Sequence, residues 1–390
     1  MSTLKVNTIL SETPNVTITD GLNVTGVSTV TTLNTTNLVN ATPLSNRNKV
    51  INGAMRISQR GASFSQTTSA EYTLDRFSHG VGSSFNFDTT ITQDSTAPDG
   101  FLKSLKVVPD TTQTPSGSDN GTIQTKLEGQ DLQDFAFGLS SAKSMTVSFY
   151  AKSGSQNNGH QYGLQLRTRD SSNAARYVSQ AFTVTTSWQR YTMTFAGNTS
   201  VAMRNDNDDG LEIVFHLVSG PDDIVSAKST WTTSNSYQTV TGQSNFMDNT
   251  SNEFYLTGVQ LEVGSVATPF EHRSYDEQFK LCQRYYQDWQ DYTHPATKGL
   301  DSNYDGHIII DTLRINMRVN PTVTHTVYGR IADSGSWTDG SNGEAASLHN
   351  DPSSDYPGRY IKVTGAHNWD TNYNNTIAVK FVAATFDAEV

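Results

Sequence analysis

Cysteine is almost absent from this chain of 390 residues, which contains a single one, Cys282. One thiol cannot form an intrachain disulfide, and it cannot build a zinc site that needs several cysteines. Charged residues are also few, at 17% of the sequence, and 27 basic residues stand against 38 acidic ones, for a net charge of −11. Nucleic-acid binding draws on clustered Lys and Arg, so we expect no nucleic-acid partner.

Long hydrophobic runs are missing as well. The most apolar stretches, Leu211–Val218 and Ile308–Ile310, are too short to cross a bilayer, and the first ten residues lack the apolar core of a secretion signal. We therefore expect no membrane insertion and synthesis in the cytoplasm. The nine histidines show no metal-ligand spacing.

Threonine, serine, asparagine and glycine are abundant in what remains, together with 16 Tyr and 17 Phe. β-branched and aromatic residues suit pleated, half-buried surfaces, and the small polar residues supply turns. The composition predicts an all-β protein. Single cores stop growing at about 250–300 residues, so the length favours several domains.

Residues 1–45 contain almost no aromatic or charged side chain, yet they carry spaced apolar positions such as Val16, Ile18 and Val24. One copy of such a segment buries too little apolar surface to offset the entropy of ordering it. We predict a fibrous stem in which three chains of a homotrimer wind together. The alternative is a disordered leader.

Residues 46–273 show the alternation of β-strands. Met145, Val147, Phe149 and Ala151 share one face of a strand, and Ile213, Phe215 and Leu217 share one face of another. In Phe254–Gly264 the apolar phase slips by one residue across Gly258, which predicts a β-bulge. We interpret this region as a two-sheet β-sandwich.

Residues 274–290 form the one segment with a clear helical pattern. Ser274 and Glu277 have the spacing of a capping box, so a helix should begin there. Apolar residues then recur at spacings of four and three, in a heptad-like seam. We predict a short linker helix whose seam lies on the axis of the trimer, or else docks on its own sandwich; the seam residues are Tyr275, Phe279, Cys282, Tyr286 and Trp289.

Residues 291–390 return to strand patterns, at His307–Asn316, Thr322–Tyr328, Arg359–Val363 and Ile377–Val382. Between the second and third of these lies Ala332–Pro357, which is rich in Ser, Gly, Asp and Asn. We predict a C-terminal β domain that carries a long polar loop, a usual place for binding residues.

Several phrases, in order along the chain, resemble a pattern that recurs in phage tail-fibre and receptor-binding proteins. They cover about Asn46 to Val323. The phrases are Asn46–Gly61, Tyr72–Phe77, Thr257–Arg273 with Cys282–Tyr286 after it, and Met317–Val323.

The resemblance implies a jelly-roll domain similar to carbohydrate-binding modules, trimeric assembly and a role in attachment to the host cell. It brings no catalytic residues with it. In this interpretation residues 1–45 join a tail or baseplate adaptor protein of the virion, and Asp75 pairs with Arg76. A head-fibre or decoration protein without receptor binding is one alternative. A polysaccharide depolymerase is another, but no repeat of a large β-helix is visible, so we expect no enzyme.

Glycan binding needs aromatic faces for sugar rings and polar groups for hydroxyls. Aromatic residues in polar surroundings occur near the distal end and in one loop of the sandwich. The candidates for binding a host surface polysaccharide are Trp337, Tyr356, Trp369, Tyr373, Trp231 and Tyr237. Packing in a core is the alternative for any one of them, and Trp188 has the pattern of a core residue.

Three carboxylates, Asp206, Asp208 and Asp209, stand close together at a predicted turn. Clustered oxygen ligands are what Ca²⁺ prefers, so the turn is a candidate calcium site. It lacks the spacing and distal Glu of an EF-hand, and a plain acidic turn is the alternative. We expect no other cofactor.

Overall fold

A computed structural model describes residues 46–66, 71–82, 85–233, 237–296, 299–300, 306–308, 317–319, 322–333, 336–339, 345–349, 360–364 and 377–389. Side chains are described for most of these positions up to 288, and for 317–319 and 387–389. The chain divides into two compact units, Met1–Ala41 and Thr42–Val390. The predicted stem, residues 1–45, lies outside the described residues.

Fifteen strands of the described chain precede the helix. They are β1 (Ser63–Gln66), β2 (Glu71–Tyr72), β3 (Ser78–Gly82), β4 (Thr89–Asp94), β5 (Ser104–Pro109), β6 (Asn120–Glu128), β7 (Met145–Ser153), β8 (Gln161–Arg169), β9 (Ala175–Thr183), β10 (Gln189–Phe195), β11 (Asp209–Ser219), β12 (Ile224–Val225), β13 (Thr232–Thr233), β14 (Thr239–Val240) and β15 (Phe254–Val263). Short 3-10 turns lie at Gly129–Phe135, Pro221–Asp223 and Phe246–Asp248.

Two antiparallel sheets form the sandwich. The six-stranded sheet has the order β1-β4-β5-β15-β7-β10, and the seven-stranded sheet has the order β13-β9-β8-β11-β6-β3-β2. Their facing apolar side chains form one buried core. The predicted inward faces are confirmed, because Met145, Val147 and Phe149 of β7 and Ile213 and Phe215 of β11 are all fully buried. The all-β sandwich class is therefore confirmed.

The predicted bulge at Gly258 is also present. The pairing of β15 with β7 shifts between Thr257 and Gln260, and Gly258 has a φ of +63°. A Cβ at this position would lie 2.8 Å from carbons of both Phe101 and Tyr150. Glycine is thus required both by the backbone conformation and by the close packing above it.

The helix α1 (Tyr275–Gln283) begins where the sequence predicts, since the side chain of Ser274 accepts from the backbone N–H of Glu277 at 3.2 Å. It ends seven residues earlier than expected. Gln283 is followed by a turn, and Tyr286 and Trp289 lie on a strand. Tyr and Trp are frequent in strands as well, and so short an apolar pattern does not distinguish a helix from a following strand, so it could not place the boundary.

Eight further strands of the described chain follow α1. They are β16 (Tyr286–Ala296), β17 (Gly299–Leu300), β18 (Gly306–Ile308), β19 (Thr322–Asp333), β20 (Ser336–Asp339), β21 (Ala345–His349), β22 (Tyr360–Thr364) and β23 (Ile377–Asp387). They form two four-stranded sheets, β16-β23-β19-β20 and β17-β18-β22-β21.

The polar segment Ala332–Pro357 is not one long loop. Its first part forms a hairpin in which Ala332 of β19 pairs with Trp337 of β20, and β21 lies further along it. Two residues that include a glycine are enough to connect antiparallel strands, and here Ser334 and Gly335 stand between the paired Asp333 and Ser336.

Candidate functional site

The outer face of the seven-stranded sheet is closed by the chain itself. Arg167 of β8 pairs with Glu212 of β11 at 3.2 Å, and both side chains are buried. The segment before β14 covers them, because the Tyr237 hydroxyl donates to Glu212 at 3.1 Å and the Arg167 guanidinium lies 4.7 Å from the Tyr237 ring centre. Burial, together with the carboxylate of Glu212, raises the pKa of Tyr237. Tyr237 is therefore half-buried and held against the sheet by Glu212 and Arg167, and its role in sugar binding stays a prediction.

Trp231 likewise packs against the sandwich. Its Nε1 donates to the Ala196 carbonyl at 2.7 Å, and its ring meets the Phe137 ring edge-on at 5.2 Å between centres. The sequence placed it in an exposed loop because its neighbours are Thr, Ser and Asn. Those neighbours did not show that the loop folds back against the core.

The carboxylates of the acidic turn bond to arginine side chains of the same chain. Asp206 and Asp208 accept from Arg204 at 2.6 and 2.7 Å, and Asp209 accepts from Arg169 at 2.7 Å. Among the described residues, no group of three or more His, Cys, Asp or Glu side chains could hold a metal ion. In the described geometry these carboxylates bond guanidinium groups, and calcium binding at the turn stays a prediction.

That acidic turn contacts the C-terminal region. Arg318 donates from Nη1 to the Asn207 carbonyl at 2.9 Å and to Asp208 at 3.3 Å, and from Nε to the Ala388 carbonyl at 2.9 Å. The side chain of Asn207 donates back to the Arg318 carbonyl at 2.7 Å. The turn therefore contacts Arg318, which in turn bonds the last residues of the C-terminal region.

A second ion-pair cluster lies beside it. Arg76 is almost fully buried; it pairs with Glu389, and its guanidinium stacks 3.5 Å from the ring centre of Tyr285. Arg60 lies 3.7 Å from the ring centre of Tyr286 and also bonds to Asp387 at 2.9 Å.

The predicted pairing of Asp75 with Arg76 is wrong. Asp75 accepts from the backbone N–H of Gln59 at 2.6 Å, while the positive φ of Arg76 turns its side chain towards Glu389. We call the contacts of Arg60, Arg76 and Asn207 of the sandwich with residues 284–286, 318 and 387–389 the junction. Recurring phrases of the sequence supply Arg60, Arg76, residues 284–286 and Arg318.

The predicted seam residues do not form one helical face. Cys282 is fully buried, and burial raises the pKa of its thiol well above the usual range. Tyr286 is buried against Arg60 on β16. Tyr275 is 47% exposed and stacks on Phe279, while the side chain of Trp289 lies outside the described residues. Two of the five seam residues, Cys282 and Tyr286, thus pack on their own sandwich, and the trimer remains a prediction.

The remaining aromatic candidates fall mostly outside the described residues. Tyr356, Trp369 and Tyr373 do so entirely, and Trp337 is placed on β20 by its backbone alone. Nothing in the structure contradicts a binding role for them.

The outer face of the six-stranded sheet offers a different surface. Strand pairing aligns Lys106 of β5, Tyr255 of β15 and Lys152 of β7 side by side. Trp188 stands one residue before β10, whose Gln189 pairs with Ala151, and so extends the row next to Lys152. Thr92 of β4 pairs with Lys106 at the other end. We call these five residues the outer row.

The outer row is partly open. Tyr255 forms its floor at 5% exposure, and the other four side chains are half-buried. Trp188 meets the Tyr255 ring edge-on at 6.1 Å between centres, and Lys106 and Lys152 hold their Nζ atoms 5.2 and 4.7 Å from its centre. Burial is the main cause that raises the pKa of Tyr255, so its hydroxyl stays protonated at neutral pH.

A chain segment borders the outer row. Residues 264–273 cross the same face, where Thr268 accepts a 3.4 Å bond from Gln260 and its hydroxyl donates to Glu262 at 2.7 Å. Phe270 of this segment packs on Phe101 at 5.0 Å between ring centres, and Phe101 packs on Tyr150 at 5.2 Å. Tyr150 lies two residues from Lys152 on β7, so this aromatic cluster forms a wall beside the row.

The sequence misassigned Trp188 as a core residue, since it precedes a strand with aromatic neighbours. A better signal was available, because the inward phase of β7 puts Lys152 and Tyr150 on the outside. The order of the strands, which brings them next to Tyr255 and Trp188, was not available from the sequence.

No protein-family model matches this chain, and no curated protein matches it. Among solved structures it is similar to the enzymatically active domain of tailspike protein 4 of bacteriophage CBA120, with 12% identity and a TM-score of 0.29 over 55% of this chain and 21% of that one. It thus spans about a fifth of the tailspike chain.

It is also similar to two carbohydrate-binding modules of Clostridium thermocellum. The C-terminal family 22 module of Xyn10B shares 12% identity with a TM-score of 0.30, over 58% of this chain and 100% of the module. The family 11 module of Lic26A-Cel5E shares 12% identity with a TM-score of 0.27, over 52% and 99%. These likenesses are weak, and the sandwich rests on the strand pairing of this chain. Among the described residues no helix is long and apolar enough to span a membrane.

Proposed function

We propose that this chain is a structural protein of a phage virion, a tail fibre, that attaches to the host cell by binding surface glycans through the outer row. The observation that carries the proposal is the outer row itself. It places a half-buried indole and two ammonium groups around a buried tyrosine on a rigid sheet, with the carboxylate of Glu253 at its edge. The ordered phrases of the sequence, which resemble those of tail-fibre proteins, support the place in the virion.

The geometry of the outer row suits a sugar. A pyranose ring presents an apolar face that stacks on an aromatic side chain, while its hydroxyls need directional partners. Trp188 supplies the ring, and its Nε1 makes no hydrogen bond to any described residue. Glu253, which bonds Lys106 at 2.7 Å, supplies an acceptor at the edge of the row. The function is one of binding and not of catalysis.

The assembly is part of the same proposal. A homotrimer would carry three outer rows on one particle appendage, and several weak sugar sites on a rigid support raise effective affinity by about 10²–10⁴. Residues 1–45 would join the trimer to its adaptor protein. Light scattering of the full chain measures the trimer directly.

Three tryptophan variants of the full chain test where recognition lies. Trp188→Ala should abolish binding to host cells or purified envelope polysaccharide with almost no change in melting temperature, because the indole is half-buried on the outer face of the sheet. Trp231→Ala is the matched control. It should lower the melting temperature, since it removes the hydrogen bond to the Ala196 carbonyl and the packing on Phe137, and it should leave glycan binding unchanged at temperatures where the protein is folded.

Trp337→Ala completes the set. Loss of binding in this variant alone would move recognition to the C-terminal sheets, as the sequence first predicted. Normal binding by all three folded variants would contradict direct adhesion through these residues and favour a purely structural head-fibre or decoration role.

A further inference from the structure

We propose that the outer row selects acidic polysaccharides, and that Lys152 binds the carboxylate of a sugar acid stacked on Trp188. This inference rests on the proposed function and names its ligand class. The charge of the outer row differs in sign from the net charge of the whole chain.

The charge near the row is locally positive in an acidic protein. Lys106 is neutralised by Glu253 at 2.7 Å, and Asp94 lies within the electrostatic reach of Lys103 and Lys106. Lys152 has no carboxylate within ion-pair distance among the described residues, and its recorded contact is with the face of Tyr255. Lys152 is therefore the ammonium group of the outer row without a described counter-charge, and Arg190 of the same sheet face donates to Ser148 and to the Thr268 carbonyl.

Lys152 is held in a fixed position and is more than a solvated surface charge. The ring of Tyr255 holds its ammonium from below, which is a favourable cation–π arrangement, and the strand pairing fixes its stem beside Trp188. An ammonium without a counter-charge next to an open indole suits a ring that carries a negative group on its edge.

The size of the charge favours a carboxylate. The single unpaired ammonium group of Lys152 matches the single negative charge of a uronic acid, whereas a phosphate monoester carries about −1.5 to −2 at neutral pH. Lysine also binds as a point charge and does not offer the bidentate fork that arginine presents to phosphate. A neutral sugar would leave the ammonium group partly desolvated and unpaired.

Binding of full-length protein to uronate oligomers tests the inference. The probes are oligogalacturonate, oligomannuronate and hyaluronan tetrasaccharides, each compared with the same oligomer in which the carboxylates are methyl esters. We expect at least one acid form to bind, the ester to bind about tenfold more weakly, and 0.5 M salt to reduce binding of the acid form only.

Two lysine variants locate the charge. Lys152→Gln should weaken binding of the acid form about tenfold and leave binding of the ester unchanged. Lys280→Gln, an exposed lysine on α1, is the matched control and should change neither. Trp188→Phe should retain most of the binding, whereas Trp188→Ala should lose both forms.

The outcomes separate this inference from the proposed function. Equal binding of acid and ester, or an acid form unaffected by Lys152→Gln, overturns the acidic ligand class. If the protein still binds host cells through Trp188 in that case, glycan attachment stands and only its chemistry is wrong. Failure of every uronate oligomer likewise overturns the inference, and absence of any binding to host cells overturns both.

Discussion

Single residues determine how this sandwich responds to acid. His216 lies on β11, fully buried, with Nδ1 bonded to no described residue and Nε2 3.4 Å from Gln165. Burial lowers the pKa of its imidazole from 6.5 to about 3. Above pH 6.5 the ring is neutral in both folded and unfolded chains. Below pH 6.5, the His216 imidazole is protonated in the unfolded chain but stays neutral in the folded chain.

Stability should therefore fall as the pH drops from about 6.5 towards 3, by up to about 1.4 kcal/mol for each pH unit from this group alone. His216→Gln should reduce that slope and have a smaller effect on the free energy of unfolding at pH 7.5. Urea unfolding of both proteins at pH 7.5, 6.0 and 5.0 measures it. Parallel pH profiles for the two proteins would show that His216 is not the responsible group.

At the scale of one strand, the bulge of β15 governs the packing around the outer row. Gly258→Ala places a Cβ 2.8 Å from both Phe101 and Tyr150 at a positive φ. Gly100→Ala is the control, because Gly100 also has a positive φ, +87°, but its Cβ would meet nothing within 4 Å.

Backbone strain alone costs about 1–2 kcal/mol, so both variants should lose that amount. Gly258→Ala should lose more, in thermal or urea unfolding, because the two rings must move. Equal losses of stability in the two variants would mean that the rings of Phe101 and Tyr150 can move at no cost. A displaced wall should also weaken binding at the neighbouring row.

The elements show which features of the fold the sequence can predict. Period-2 alternation predicted the inward faces of β7 and β11, and the glycine slip predicted the bulge. Ser274 with Glu277 predicted the start of α1. Each of these is a local pattern. The end of α1 and the hairpin at Trp337 were missed, since a helix–strand boundary and a turn depend on tertiary packing.

The candidate site was missed for a related reason. Lys106, Lys152, Trp188 and Tyr255 are far apart along the chain, and only the order β5-β15-β7-β10 makes them neighbours. Conversely, Asp206 and Asp208 lie two residues apart in the sequence, but Asp208 also bonds Arg318, which is 110 residues away. The closeness of the carboxylates in the sequence suggested a metal site, whereas in the fold the turn contacts the C-terminal region.

For the whole molecule, the junction should control whether the C-terminal sheets stay fixed to the sandwich. Glu389→Gln removes the carboxylate that pairs with the buried Arg76. An uncompensated buried charge costs about 3–5 kcal/mol. Asp387→Asn is the control, because its carboxylate is 42% exposed and an exposed ion pair contributes only about 0–1 kcal/mol.

Calorimetry and limited proteolysis should distinguish the two variants. Glu389→Gln should separate the melting of the C-terminal sheets from that of the sandwich and expose cleavage sites after residue 286. Asp387→Asn should melt and digest like the unmodified chain. A single unchanged transition in Glu389→Gln would show that other contacts hold the junction.

The position of the junction has a consequence for how this chain can be varied. The described contacts with the sandwich on the C-terminal side include residues 284–286, 318 and 387–389, which flank the strands of the C-terminal sheets. We expect that a recombination event which keeps these flanking residues can replace the strands between them. A chimaera that carries foreign sequence between residues 320 and 386 should still assemble.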